Sequence, residues 1–468
     1  MSSISLWVAA LVAAGLPVAA LALRLLDLRR DMVLLLIYAQ VMAYMHVGPA
    51  VASAGLASDG MARYVHIAWW TVAVFDLPLI VCSLYLARRW QRSTVAPVMD
   101  LRHGRTALFA VGCVLLGLGY LVIAVKNGLL YRRIGHVNLA DRQLQMGLVD
   151  FAFYRTFIEL GVFLILCCLV MLRRAPQAGR TTRRLLTGAL GVTVGLYLSF
   201  ALLNSRLSVL ILVCSVFVVY QSTARKRFKV TARGLVTGAA LALVALYMVR
   251  VVVNIRTAAV QGGPLFSLEA LSPLGRPNVQ SVSDPTAMRL NGVDAIAMIQ
   301  PGMESFGAAK GTAWIVPFVL SLDPIVRTEQ TVTLKRLAMT NAKSYLILRY
   351  TGLDLIDYYS CELTDVYGNF GYVGFFGAAL LLSVLVAFVG TTLVGSASPA
   401  RLVIAVFVLS RILPFEQEFA TLLFAWIKLA PVVGVLLWLN PLRRPAPARP
   451  APLAAPAAGG GELRLAGA

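Results

Sequence analysis

The chain has 468 residues, of which 59% are hydrophobic and 13% are charged. A soluble chain of this length could not cover so much apolar surface, so the composition excludes an ordinary soluble protein and indicates an integral membrane protein. The formal net charge of +21 would suggest a nucleic-acid partner in a soluble protein. Here the arginines cluster in short connections between apolar runs, which favours a topology signal and anionic headgroups, with no nucleic acid.

Apolar windows of about 17–25 residues predict an all-α polytopic membrane protein with about eleven transmembrane helices. The first eight helices are expected near 4–24, 32–52, 65–86, 105–125, 150–172, 185–203, 207–221 and 233–252. Three more are expected near 371–394, 401–413 and 420–439. Arg24 and the stretch from Asp27 to Arg30 follow the first apolar run, and this flank is typical of a retained span rather than a cleaved signal peptide.

Basic residues alternate between the connections. Clusters occupy the odd-numbered connections, whereas the short even-numbered connections at 53–64 and 204–206 are poor in arginine. The positive-inside rule therefore predicts an external N-terminus, a cytoplasmic C-terminus and an external long loop. The connection at 126–149 is an exception, because it contains Lys126, Arg132, Arg133 and Arg142. Either the topology slips there or these cations have a role outside, and the regular later connections favour the second interpretation.

These boundaries divide the chain into four parts. Transmembrane helices 1–8 occupy 1–253, a large periplasmic loop occupies 254–370, helices 9–11 occupy 371–440, and a Pro/Ala/Gly-rich tail at 441–468 is expected to be disordered in the cytoplasm. Within the loop we expect a helix from Ala287 to Gln300, an apolar stretch on the membrane surface from Thr312 to Leu322, and an amphipathic helix from Thr333 to Tyr350. The loop is therefore predicted to be a small helical cap.

Ionisable side chains inside membrane spans are costly and often functional. The spans contain Asp76, Glu159, Arg411 and Lys428, and His46 lies nearer the outer surface. Two interpretations remain open: the residues neutralise each other in pairs between helices, or they line a polar cavity that opens outward. No metal or other cofactor is expected, since the sequence has neither a CxxC nor an HExxH motif and its four histidines are scattered.

Several arginines are expected at the outer surface. The tight turn Asn204-Ser205-Arg206 places Arg206 at the interface, and Arg250 and Arg256 emerge there from the next outward helix. Arg289 belongs to the helical part of the loop. These side chains either extend to phospholipid headgroups or form guanidinium contacts with a lipid-linked diphosphate, whose developing charge would need such stabilisation.

Carboxylates and tyrosines gather at the far edge of the loop. If this segment is helical, Asp354, Asp357, Cys361 and Asp365 share one face. The segment is then either a solvated acidic face or a site where a carboxylate acts as general base and tyrosines orient sugar hydroxyls. Glu416, after the Pro414 break, could add another carboxylate.

Together these features resemble the bacterial oligosaccharide repeat-unit polymerases of the O-antigen and exopolysaccharide type. The resemblance covers about residues 190–440 and rests on the many spans, the large loop before the last helices, the Asn204-Ser205-Arg206 hairpin, and a Glu…Tyr-Gly-Asn-Phe-Gly pattern from Glu362 to Gly371. It implies a membrane glycosyltransferase, similar to glycosyltransferase-C enzymes, in the bacterial inner membrane. Such an enzyme joins undecaprenyl-diphosphate-linked repeat units at the periplasmic face without a nucleotide sugar.

The resemblance and the residue chemistry together give a set of expected roles. The catalytic candidates are Asp357, Glu362, Asp365 and Glu416. The diphosphate-binding candidates are Arg206, Arg250, Arg256, Arg289 and Arg411, and the sugar-binding candidates are Tyr358, Tyr367 and Asn369. The expected partners are the lipid-linked oligosaccharide, membrane lipid, a chain-length regulator and a flippase.

Three other functions remain open. A transporter or flippase of lipid-linked sugars would have a similar cationic cavity, although the absence of an internal sequence repeat makes it less favoured. An O-antigen ligase is disfavoured because the related ligases usually present a histidine in the large loop, and residues 254–370 contain none. A membrane protein without catalysis would have no use for the ordered charges at the loop edges.

Overall fold

The computed structural model describes residues 2–53, 58–91, 97–127, 147–204, 206–224, 291–315, 318–319, 342–353, 361–413, 419–439 and 441–443. Helices dominate these residues, as expected where apolar side chains face lipid and each backbone group must be satisfied within its own segment. The helices before the loop are α1 (Ser2–Ala22), α2 (Met32–Ala52), α3 (Ser58–Thr71, Val72–Asp76 and Leu77–Trp90 without a break), α4 (His103–Lys126), α5 (Leu148–Arg174), α6 (Arg180–Asn204) and α7 (Arg206–Ser222). Those that follow are α8 (Gly292–Phe306), α9 (Ala342–Thr351), α10 (Glu362–Gly395), α11 (Pro399–Ile412) and α12 (Phe419–Leu439).

Among the described residues, six helices are long and apolar enough to cross a membrane: Ser3–Ala22, Met32–Ala52, Gly60–Trp90, His103–Lys126, Thr156–Arg174 and Glu362–Gly395. The chain is therefore mainly helical with candidate membrane-spanning helices, as predicted. Helices α6, α7, α11 and α12 coincide with further predicted spans, and the total of about eleven stays a prediction. The predicted span near 233–252 lies outside the described residues.

The described arginine-rich connections meet at one end of the bundle, which we call the arginine-rich end. The Met99 amide donates to the Arg174 carbonyl at 2.8 Å, and the Ser222 hydroxyl donates to the Arg29 carbonyl at 2.8 Å. Strand β1 (Asp100–Leu101) pairs antiparallel with β2 (Leu442–Arg443), so the start of the C-terminal tail is held there too. The described parts of these connections thus share one end of the fold.

Buried arginines at this end bind backbone carbonyls near helix C-termini. Arg174 donates to the Leu393 carbonyl in the last turn of α10, and Arg29 donates to the Ala224 carbonyl just beyond α7. Arg30 forms two hydrogen bonds of 2.6 Å to the Asp31 carboxylate. Cations are stabilised at helix C-termini, where carbonyls lack intrahelical partners. These arginines therefore have a structural role, and their topological role stays a prediction.

The described parts of the loop pack on the opposite end, which we call the loop end. Helix α8 packs against α3, α9 and α10. Its contact with α9 is close, because a Cβ atom at Gly302 would lie 2.6 Å from the Cβ and the carbonyl oxygen of Tyr350. Helix α8 itself continues through Pro301 to Phe306, beyond the end predicted at Gln300. The described part of the helix predicted over Thr333–Tyr350 is α9, which ends at Thr351.

Helix α10 contains a sharp break at Gly371, whose φ of 60° and ψ of −149° are not helical. The part before the break, Glu362–Phe370, belongs to the loop end. The part after it, from Tyr372 to Gly395, is about 36 Å long at about 1.5 Å per residue and can cross a hydrocarbon core of about 30 Å. The span start predicted near 371 therefore corresponds to the break rather than to the start of the helix.

Replacing Gly371 with alanine is expected to lower the stability of the protein by about 1–3 kcal/mol, because a Cβ atom is strained in this backbone conformation. Gly377→Ala is the matched control, since Gly377 lies in the regular part of α10 and a Cβ atom there would have no neighbour within 4 Å. The measurement is the thermal unfolding midpoint of each detergent-solubilised variant. Equal midpoints for the two variants would contradict the proposed strain.

Candidate functional site

Asp365 joins three separated parts of the chain at the loop end. Its carboxylate accepts hydrogen bonds from the Phe419 amide at 3.0 Å, the Ala420 amide at 3.0 Å and the Trp314 indole N–H at 2.8 Å. Phe419 and Ala420 begin α12, so Asp365 satisfies amides that have no intrahelical acceptor and places a negative charge at a helix N-terminus. The side chain is fully buried. These contacts give Asp365 a structural role, and its catalytic role stays a prediction.

Asn369 holds a turn of the loop. Its side-chain amide donates to the Asp365 carbonyl at 2.7 Å, and its side-chain oxygen accepts from the Gly311 amide at 2.9 Å. The Lys310 amide also donates to the Asn369 carbonyl at 2.9 Å. Lys310 and Gly311 both have positive φ values, 51° and 88°, which give the turn its shape. Both polar groups of the Asn369 side chain are thus engaged within the protein, and sugar binding by this residue stays a prediction.

The remaining positions of the Tyr-Gly-Asn-Phe-Gly pattern also connect the loop to α10. A Cβ atom at Gly368 would collide with Leu346 of α9, and Phe370 contacts Trp314 edge to face at 5.2 Å between ring centroids. Tyr367, a predicted sugar ligand, is buried with its ring 5.1 Å from Tyr372. The pattern therefore forms the joint between the loop and the bundle, and the break at its last glycine directs α10 into the span.

Glu362, a predicted catalytic residue, is the first residue of α10 and is 1% exposed. Its Oε2 atom is buried and has no hydrogen-bond partner among the described residues. Cys361 precedes it as an extended N-cap residue, with φ −127° and ψ 176°. A continuous helix over Asp354, Asp357, Cys361 and Asp365 is therefore wrong, because α10 begins only after Cys361. Asp357 itself lies outside the described residues.

Cys361 packs between the start of α10 and Met45 of α2. Its sulfur lies 3.5 Å from the Met45 sulfur, and burial raises the pKa of its thiol to about 12. The thiol is therefore protonated at neutral pH and is not a nucleophile. Gly292, at the start of α8, packs directly on this side chain, since a Cβ atom there would lie 3.0 Å from the Cys361 sulfur.

The N-termini of α8 and α10 consequently meet beside Glu362. Asn291, just before α8, donates to the Tyr64 hydroxyl at 3.1 Å, and Tyr64 donates to Asp294. The Asn291 side-chain oxygen, like Glu362 Oε2, is buried without a donor among the described residues. Buried acceptors are usually satisfied by water, by a ligand group that donates or by another part of the chain. We call Asn291 Oδ1, just before α8, and Glu362 Oε2, at the start of α10, the buried acceptor pair.

The predicted cationic residues are only partly described. Arg411 lies in the last turn of α11 and donates to the Glu159 carbonyl of α5, so it connects two helices in the bundle. Arg206 is the first residue of α7, two positions after the end of α6, and its side chain is not among those described. Several predicted site residues lie outside the described residues, namely Arg250, Arg256, Arg289, Asp357, Tyr358 and Glu416.

A buried contact between a histidine and a carboxyl group lies inside the bundle. Helix α2 contains a π-helical segment at Met42–Val47, and α3 contains another at Val72–Asp76. His46 Nε2 lies 2.7 Å from Asp76 Oδ2, and both side chains are fully buried. Isolated π-helical turns often occur at functional positions, because they rotate side chains out of the regular helical phase. For these two residues, a direct contact between helices is the arrangement found.

The described side chains do not indicate a metal centre. Among the residues that the structure describes, no group of three or more His, Cys, Asp or Glu side chains could hold a metal ion. Comparison with known proteins gives no further indication. No protein-family model matches the chain, and no curated protein or solved structure is significantly similar to it.

Proposed function

We propose that this protein is a membrane glycosyltransferase of the glycosyltransferase-C type that polymerises undecaprenyl-diphosphate-linked oligosaccharide repeat units. The observation that carries the proposal is the buried acceptor pair where α8 and α10 begin, with Glu362 Oε2 lacking a donor among the described residues. Once ionised, a carboxyl placed in this way can accept a proton from a sugar hydroxyl. The arginines assigned to the same side of the membrane by sequence would bind the diphosphate of the donor.

In the proposed reaction a terminal hydroxyl of one lipid-linked unit attacks the anomeric carbon of the growing chain. The hydroxyl proton passes to Glu362, the new glycosidic bond forms, and the bond from the anomeric carbon to the diphosphate breaks. The departing lipid diphosphate keeps the electron pair of that bond. Arg411 and the predicted cations Arg206, Arg250, Arg256 and Arg289 would stabilise the charge on it.

Glu362 is a better candidate for the base than Asp365, because the two carboxylates differ in their surroundings. Asp365 already accepts hydrogen bonds from two backbone amides and an indole N–H. Proton acceptance by Asp365 would weaken those bonds and release the start of α12. Glu362 Oε2 has no such bond among the described residues, and cover by α8 would limit competing attack by water.

Glu362→Gln is expected to leave the protein folded and to lower polymerisation by about 10²–10⁴-fold, because the amide cannot accept the proton. The measurement is the length distribution of polysaccharide in a deletion strain that expresses the variant, with the location of unused lipid-linked units. Asp100→Asn, an exposed carboxylate at the arginine-rich end, is the control and should give normal polymer. Normal polymer from Glu362→Gln would contradict Glu362 as the base.

The same deletion strain distinguishes the polymerase from its main alternative. Without the protein, a polymerase defect leaves single repeat units on the periplasmic face of the membrane. A flippase defect leaves them on the cytoplasmic face. Cytoplasmic accumulation would therefore contradict the proposed function.

A further inference from the structure

An exposed cluster of aromatic rings lies where α3 and α10 meet at the loop end. The rings of Trp70 and Tyr372 are stacked, with centroids 5.0 Å apart and planes inclined by 24°. His66 lies one turn before Trp70 on α3 and packs edge-on against both rings. Trp70 remains 42% exposed. We call His66, Trp70 and Tyr372 the aromatic platform.

Hydrogen bonds fix the orientation of these rings. The Trp70 indole N–H donates to His66 Nε2 at 3.0 Å, and His66 Nδ1 lies 3.1 Å from the Tyr372 hydroxyl oxygen. An indole can only donate, so Nε2 must accept and the proton of the neutral imidazole must be on Nδ1. His66 therefore donates to Tyr372, whose own hydroxyl proton is left for the adjacent Tyr367 hydroxyl. The polar edges are satisfied within the cluster, and ring surface is what remains exposed.

The depth of the platform follows from helix lengths. Tyr372 is the first residue after the break at Gly371, at the outer limit of a segment about 36 Å long. From Trp70 to Trp90, the last residue of α3, the helix is about 30 Å long, which matches the thickness of a hydrocarbon core. Both segments are long enough to cross a hydrocarbon core when they begin at the platform, so the lengths are consistent with a platform at the boundary between hydrocarbon and water.

A carboxylate lies within electrostatic range of the platform. Glu304, exposed near the end of α8, is close enough to the Tyr367 and Tyr372 hydroxyls to act on both electrostatically. The Gln300 side-chain amide donates to the Glu304 carboxylate at 3.0 Å, which orients it. An anionic group here disfavours lipid phosphates by repulsion, whereas carboxylates bind sugar hydroxyls well.

Interfacial tryptophans commonly anchor membrane proteins by directing the indole N–H toward headgroups and water. That arrangement does not describe Trp70, whose N–H is already bound to His66. A fixed pair of stacked rings with an adjacent carboxylate instead fits a ligand that has an apolar C–H face and peripheral hydroxyls. A pyranose ring has both features, and its weakly positive C–H groups are attracted to the negative face of an aromatic ring.

We propose that the aromatic platform and Glu304 form a saccharide-binding subsite that holds one sugar ring of the repeat unit at the membrane surface. The sugar would stack on the exposed ring surface of Trp70, which Tyr372 holds in place from the other side, and Glu304 would accept hydrogen bonds from its hydroxyls. The identity of the ligand rests on the proposed function, because the sugar belongs to its substrate. The subsite itself is distinct from the buried acceptor pair and serves binding rather than bond formation.

The test is direct binding of the oligosaccharide that mild acid releases from lipid-linked repeat units, measured by titration calorimetry with the full-length protein in nanodiscs. Trp70→Ala and Glu304→Gln are each expected to weaken binding by about tenfold or more. Trp69→Ala is the matched control, since Trp69 is a neighbouring exposed tryptophan whose indole N–H lies 3.3 Å from the Ser5 hydroxyl, away from the platform. The control should bind as tightly as the natural chain.

Glu304→Gln keeps the test decisive if Trp70→Ala does not fold, because Glu304 is exposed and the substitution preserves its shape. Equal affinity for Glu304→Gln, Trp69→Ala and the natural chain, or no binding by the natural chain, would overturn the subsite. Failure of the proposed function would give a different result. If the natural chain binds the oligosaccharide through Trp70 but forms no polymer, the subsite is supported and the polymerase function is contradicted. If Glu304→Gln forms polymer and binds the oligosaccharide with unchanged affinity, the polymerase function is supported and the subsite is contradicted.

Discussion

Replacement of Asp365 by alanine is expected to destabilise the protein by roughly 3 kcal/mol or more, because three buried donors lose their shared acceptor. These donors are the Phe419 amide, the Ala420 amide and the Trp314 indole. The substitution would release the start of α12 and the turn around Trp314 together. The measurement is the unfolding midpoint of detergent-solubilised protein, combined with protease cleavage in the loop.

Graded substitutions separate this structural role from catalysis. Trp314→Phe removes only one donor and should cost about 1 kcal/mol, and Asp365→Asn retains one acceptor oxygen and should give an intermediate loss. Stability is expected to follow the order natural chain, Trp314→Phe, Asp365→Asn, Asp365→Ala. A fully stable Asp365→Ala variant that lacks activity would contradict the capping role and support Asp365 as a catalytic residue.

The second large effect is expected at the buried His46–Asp76 pair. Asp76→Ala should cost about 3–5 kcal/mol, because removal of one partner leaves the other polar group buried without compensation. The double variant His46→Leu/Asp76→Leu should be more stable than the sum of the single losses, since apolar groups of similar size replace both partners. The measurement is a double-mutant cycle on the free energy of unfolding in detergent.

Strict additivity in that cycle would show that the two side chains do not stabilise each other. The double variant also carries information about activity. If it is folded and polymerises normally, the pair is structural. If it is folded but inactive, the π-helical segments at Met42–Val47 and Val72–Asp76 hold a functional group that the polymerase proposal would have to include.

The sequence was sufficient to predict where apolar helices form, because apolar length is a local property. Helices α1–α7 and α10–α12 overlap the predicted windows, and the span start predicted near 371 corresponds to the break at Gly371 within α10. The contacts of Asp365 could not be predicted in this way. Its donors Trp314, Phe419 and Ala420 are more than fifty positions away, and only tertiary packing brings them to one carboxylate.

The contact between His46 and Asp76 also could not be predicted from the sequence, although both residues were recognised as ionisable groups within or near spans. Which faces of two helices meet depends on their rotation, and each π-helical segment shifts that rotation relative to a regular helix. The sequence also did not predict that α10 begins only after Cys361. The acidic residues from Asp354 to Asp365 have helical spacing, but Cys361 adopts an extended conformation and begins the helix there.

The polymerase proposal is tested most directly by reconstitution. The purified chain would be placed in liposomes with an undecaprenyl-diphosphate-linked repeat unit as the sole substrate, and the products separated by size. We expect a ladder of multiples of the repeat unit with release of undecaprenyl diphosphate, and we expect the ladder to be absent with Glu362→Gln. Repeat units that remain single with the natural chain, whether or not they cross the bilayer, would contradict the proposed function.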